Sequence, residues 1–119
     1  MRDFKKIQVW QKAHLFVLEI YKHTENFPDA ERFGLISQIR RAAASIPTNI
    51  AEGAGRATQK EFARFIHIAT GSASEVEYQL LLSHELGYLT TDEYQILEKS
   101  IVEIKKMLYG FAKALRSQS

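Results

Sequence analysis

The sequence has no cysteine, and its 119 residues include only two prolines, six glycines and one tryptophan. Without cysteine there can be no disulfide, no thiolate metal site and no cysteine nucleophile. The longest unbroken apolar run, Leu15-Phe16-Val17-Leu18, falls far short of the roughly 20 residues that span a membrane. Basic residues open the chain at Arg2, Lys5 and Lys6, yet no apolar stretch of the signal-peptide kind follows, so a cytoplasmic protein is expected. No useful length of strand-like alternation and no low-complexity segment occurs. Neither sign of charge dominates, since the formal net charge is +2.

What is there is helical periodicity. Hydrophobic residues make up 45% and charged residues 25%, the balance of a soluble globular domain, and the length suits one domain over residues 1–119. Four segments repeat apolar or small residues at alternating three- and four-residue steps, which keeps one face of an α-helix turned to a partner. The first runs Ile7, Trp10, His14, Val17, Tyr21 and Thr24, flanked by Ala13 and Ile20. The second runs Ile36, Ile39, Ala43, Ile46 and Ile50. Phe62, Ile66, Ala69, Ala73, Val76, Leu80 and Ser83 make the third, and Tyr94, Leu97, Ile101, Ile104, Leu108, Phe111 and Leu115 the fourth.

The punctuation agrees with the stripes. Thr58 with Glu61, and Thr90 with Glu93, have capping-box spacing, and Gly87 supplies a left-handed residue to end the third helix. Short connections between long helices give antiparallel neighbours, hence an all-α, up-down-up-down four-helix bundle. Pro47 lies inside the second stripe and is expected to kink that helix without ending it, because the stripe resumes at Ile50. Gly71-Ser72 in the third helix suggests a close approach of neighbouring backbones. The apolar arcs are wide: Val9, Leu15, Phe16 and Leu18 extend the first, and Phe65, Ile68, Leu81 and Leu82 the third. That excess predicts a second buried surface, and so an oligomer.

Catalytic motifs fail one by one. A carboxylate-bridged metal pair needs Glu three residues before His, but Gln11, Ile20, Arg64 and Leu81 stand there. Glu19 and His23 share a helix face, and two ligands do not make a site. His14 falls on the first stripe and reads as a core or boundary histidine. Gly53-Ala54-Gly55-Arg56 follows a helix rather than a strand and lacks the Gly-Lys-Ser/Thr ending of a phosphate loop. No metal, cofactor or catalytic residue is expected.

Several stretches are more specific. These are Phe27-Pro28, Glu31-Arg32-Phe33-Gly34-Leu35, Gln38-Ile39-Arg40-Arg41-Ala42, Ser45-Ile46-Pro47-Thr48-Asn49-Ile50-Ala51-Glu52-Gly53, and Gly71-Ser72 with Glu75. With the opening Phe4 and Val9-Trp10-Gln11-Lys12-Ala13, the sequence resembles the four-helix-bundle family of 23S rRNA intervening sequences along nearly its whole length. The accessory protein of diversity-generating retroelements is a relative of that family. The resemblance implies a ring-like homopentamer and an association with RNA or DNA; it implies no catalytic residue. Within these stretches Arg41, Ser45, Asn49, Glu52 and Arg56 recur along one stripe of the second helix. Asn49 and Glu52 are read as structural, satisfying carbonyls freed by Pro47 or bonding to Ser72 on the facing helix, with a ligand-binding role as the alternative.

Antiparallel topology also sorts the charges. Residues 1–12, 49–66 and 106–119 form one pole, with ten lysines and arginines against three carboxylates, a net +7. Residues 19–35 and 77–99 form the other, with three against nine, a net −6. Helix dipoles favour basic C-termini and acidic N-termini, but not the cations at the start of the first helix. The surplus nominates Lys5, Lys6, Arg56, Lys60, Arg64 and Lys113 as contacts for a nucleic-acid backbone, bound without sequence preference because no aromatic stacking platform is evident nearby. The alternative is a protein-interaction scaffold whose charges serve solubility and assembly.

Overall fold

A computed structural model describes residues 2–118, which are all-helical apart from turns and connections. The helices are α1 Gln8–Thr24, α2 Leu35–Ala54, α3 Gln59–Glu85 and α4 Thr91–Ser117, with 3-10 turns at Phe4–Lys6 and Asp29–Glu31. Local chemistry sets most of these boundaries. Before α4, the Thr90 hydroxyl accepts from the Glu93 N–H (3.1 Å) and the Glu93 carboxylate accepts from the Thr90 N–H (2.9 Å), a complete capping box. Before α3, Thr58 accepts from the Glu61 N–H (3.1 Å), but no return bond from Glu61 occurs among the described residues. Gly87, at φ +83°, ends α3 in a Schellman turn: Tyr88 N–H donates to the Ser83 carbonyl and Gly87 N–H to that of His84.

The helices form an antiparallel bundle 45 Å long. α2 packs against α3 and α3 against α4 most extensively, while α1 meets α2 and, along the thinnest seam, α4. The stripes of α3 and α4 are in the core, with Tyr94 and Phe111 half-buried at its margins. In α2, Ile39, Ala43, Ile46 and Ile50 are fully buried. Each of these isoleucine side chains contributes about 1.5–3 kcal/mol by leaving water. Pro47 is buried too, and α2 continues unbroken past it to Ala54.

Three expectations are corrected. The core face of α1 is Val9, Ala13, Phe16, Ile20 and Thr24, one residue out of phase with the stripe at Trp10, His14, Val17 and Tyr21. Val9 and Phe16 are therefore core residues and not part of any excess arc, and His14 is exposed. What remains exposed of the wide arcs is Leu15 and Leu18 on α1 and Ile68 and Leu81 on α3. Gly71 makes no close approach, since a Cβ there would meet nothing within 4 Å. The close approach is at Gly53, whose Cβ would stand 2.7 Å from Phe62 Cδ1 and 2.8 Å from Phe65 Cβ.

Candidate nucleic-acid interface

The ends of α2 and α4 and the starts of α1 and α3 converge on one end of the bundle. Arg2 ties them together. Its guanidinium donates to the carbonyls of Ala54 (3.1 Å) and Arg56 (2.7 Å), bonds Gln59, and lies 4.8 Å over the Phe62 ring. It thereby satisfies carbonyls that the end of α2 leaves without helical donors. Arg2 is thus committed to the fold, although the charge surplus alone had grouped it with the others.

The nominated cations are exposed, and the structure brings some of them together. Lys60 and Arg64, one turn apart on α3, line an open groove of about 520 Å³ with His67 and with Arg116 of α4. Glu61 is the one carboxylate in its lining, and Arg116 also contacts His67. Lys5 and Lys6 occupy the 3-10 turn that crosses the same end, and Lys5 Nζ stands 5.9 Å from the Phe4 ring centroid. Arg56, just past α2, lays its guanidinium 4.7 Å over Phe65. Lys113 is exposed on the last turns of α4 and does not line the groove. Among the described residues, Lys5, Lys6, Arg56, Lys60, Arg64 and Lys113 have no ion-pair partner; the ion pairs of lysines lie further along, at Lys12–Glu103 (3.0 Å) and Lys105–Glu77 (2.8 Å).

The opposite end is knit by its acids. Tyr88 donates to Glu31 (2.9 Å), and that bond to a carboxylate raises the phenol's pKa above its ordinary value. His23 sits between Glu19 (3.5 Å) and Glu93 (3.2 Å), joining α1 to α4. The Glu93 carboxyl is held below its ordinary range, first by the Thr90 N–H and, against some burial, by His23. Burial, with Glu98, Glu77 and Glu85 nearby, pushes the Tyr94 phenol up.

The polar stripe of α2 divides. Ser45 and Ser72 share a hydrogen bond of 2.9 Å across the α2–α3 interface, and Asn49 donates to the Ser45 carbonyl (2.8 Å) and hydroxyl (2.9 Å). The carbonyl that Asn49 reaches is therefore Ser45's and not the one freed by Pro47, and it meets Ser72 only through Ser45. Arg41 lines a notch of about 290 Å³ with Ser45, Ser72 and Glu75. Glu52 is exposed, and among the described residues its side chain has no partner.

Sequence reasoning missed one feature of this region. Phe4, Trp10 and His14 form an aromatic ladder beside Lys5 and Lys6, with ring centroids 4.9 Å and 5.0 Å apart. The signal was the i, i+4 spacing of Trp10 and His14, which had been assigned to the core. Among the described residues no cluster of histidine and carboxylates fit to hold a metal occurs, and no helix is long and apolar enough to cross a membrane.

Fold and surface together define an all-α four-helix bundle with a segregated basic end. The chain matches the 23S rRNA-intervening sequence protein family over residues 5–110, and it belongs to that family. It is also similar to a crystal structure of a protein of unknown function from the S23 ribosomal protein family of Bacteroides thetaiotaomicron VPI-5482. The identity is 30% and the TM-score 0.80, over 88% of this chain and 98% of that one. No curated protein matches the chain.

Proposed function

We propose that this chain is a non-catalytic protein that binds RNA or DNA backbones through its basic end, and that it acts as an oligomer assembled through its exposed apolar faces. The observation that carries the reading is the set of exposed cations at one end, unpaired among the described residues and gathered from three different segments of the chain. A phosphate backbone neutralises such a set and releases its own counterions, so affinity follows salt and not sequence. Leu15 and Leu18 on α1, with Ile68 and Leu81 on α3, support the assembly part of the reading.

The test is a titration with labelled RNA and DNA at two salt concentrations. Binding is expected at roughly 10⁻⁴–10⁻⁶ M near physiological salt, weakening steeply as salt rises. Replacing Lys5, Lys6 and Lys60 with glutamate should weaken binding to all sequences alike, while light scattering reports an unchanged oligomer. The same reversal of Lys22 and Lys99, at the acidic end, should do little. Parent-like binding by the first variant, or no binding by the parent at low salt, would mean that the charges serve solubility and assembly in a protein-interaction scaffold.

A further inference from the structure

The aromatic ladder at the start of α1 bears on which form of nucleic acid the basic end takes. Trp10 and His14 lie parallel, with an interplanar angle of 6°, and Phe4 meets Trp10 edge-on at 66°. Residues four apart on a helix stand one above the other, so this stack follows from the backbone. It borders an open groove of about 320 Å³ between α1 and α2, closed on the far side by Pro47 and Thr48. The three rings differ in burial: Phe4 and Trp10 are half-buried and anchored on the core, whereas His14 is exposed. One face of the imidazole is taken by Trp10, and among the described residues its nitrogens have no hydrogen-bond partner. The stack therefore ends on an open ring.

Cations stand at the other end of the ladder. Lys5 Nζ is 5.9 Å from the Phe4 centroid, and Lys6 follows it on the same turn, exposed. A stackable ring at one end of the ladder and uncommitted ammonium groups at the other suit a single strand that runs along it, one base lying on His14 while the phosphates of neighbouring nucleotides meet the lysines. A base inside a duplex has both faces covered by its neighbours and cannot use such a surface.

Resting on the nucleic-acid reading above, we infer that the Phe4–Trp10–His14 ladder is a base-stacking platform, and that the basic end prefers single-stranded nucleic acid to duplex. The preference is for unpaired bases of any identity, because every base presents a π-face.

Trp10 is the chain's only tryptophan, so indole fluorescence reports on the platform alone. The full-length protein is titrated at low salt with oligo(dT), with an abasic strand of equal length and with a duplex. Oligo(dT) should quench Trp10 and bind about fivefold to a hundredfold more tightly than the abasic strand, which carries the same phosphates without bases. The abasic strand and the duplex should bind without quenching. His14→Ala, at an exposed position, should bring oligo(dT) affinity down towards the abasic level and leave abasic binding as it was; His14→Phe should restore it. Equal, unquenched binding of all three ligands would overturn the platform and leave the phosphate reading standing, as would a His14→Ala variant that binds oligo(dT) like the parent. No binding of any ligand would overturn both.

Discussion

At the acidic end of the bundle, Glu31 turns to the Tyr88 hydroxyl, and Glu93 to the Thr90 N–H and to His23. At the basic end, Arg2 bonds the carbonyls around the end of α2 and Arg116 contacts His67, while among the described residues Lys5, Lys6, Arg56, Lys60, Arg64 and Lys113 have no ion-pair partner. The asymmetry has a chemical source. A carboxylate accepts from any N–H or O–H, and helix N-termini offer several. An ammonium group needs an acceptor, best of all a carboxylate, and the groove at this end has only Glu61 in its lining. What binds the basic end together is apolar: Phe62 edge-on to Phe111 at 5.2 Å, with Gly53 pressed against Phe62 and Phe65. One end is thus fastened by its charges, whereas the other is packed beneath charges that remain available.

The largest effect that would sharpen this contrast is expected at Gly53. Gly53→Val forces a side chain into the Phe62 and Phe65 rings, and thermal or denaturant unfolding should show a loss of about 1–3 kcal/mol. Truncating Lys60 or Arg64 to alanine at the same end should change stability by no more than about 0.5 kcal/mol. A destabilised Lys60→Ala would break the contrast, because it would give that cation a role in the fold. Next in size is Thr90→Ala, which removes the hydroxyl of the capping box at the acidic end and should cost about 1 kcal/mol by the same measurement.

The smallest effect is a pH dependence. Folding holds the Glu93 carboxyl below its unfolded value, so its contribution is present above the ordinary carboxylate range and is lost as pH falls through the depressed folded value. Acid unfolding followed by circular dichroism should therefore show a shallower loss of stability for Glu93→Gln than for the parent. Identical acid profiles would mean that Glu93 does not fasten that end.

Much of this fold is legible in the sequence. The stripes of α3 and α4 lie on their core faces, and in α4 the polar side chains flanking the stripe fix its phase. In α1 they do not. Val9, Trp10, Ala13, Leu15, Phe16, Val17, Leu18 and Ile20 cover so much of the helix that two stripes one residue apart fit the same period, and only packing against α2 and α4 selects between them. That ambiguity put His14 on the core stripe, as a core or boundary histidine, and concealed the aromatic ladder. The cations of the basic end were legible as a group, since antiparallel topology follows from loop length. Their separate commitments were not, because Arg2 reaches Ala54 and Gln59 only once three segments have converged. Gly53 and Gly71 were indistinguishable by residue type; what separates them is the presence of Phe62 and Phe65 opposite the first.

The order in which the helices meet has a kinetic side. The two broadest interfaces, α2 with α3 and α3 with α4, join elements adjacent along the chain, and each needs only a short loop to close. α1 with α4 is the exception, the thinnest seam and the one that spans most of the sequence. Closing it carries the largest loop entropy for the smallest area gained, which makes it a late event in folding. The bundle is then best pictured as assembling by local steps between helices adjacent along the chain, α1 onto α2 among them, with the seam between α1 and α4 closing last.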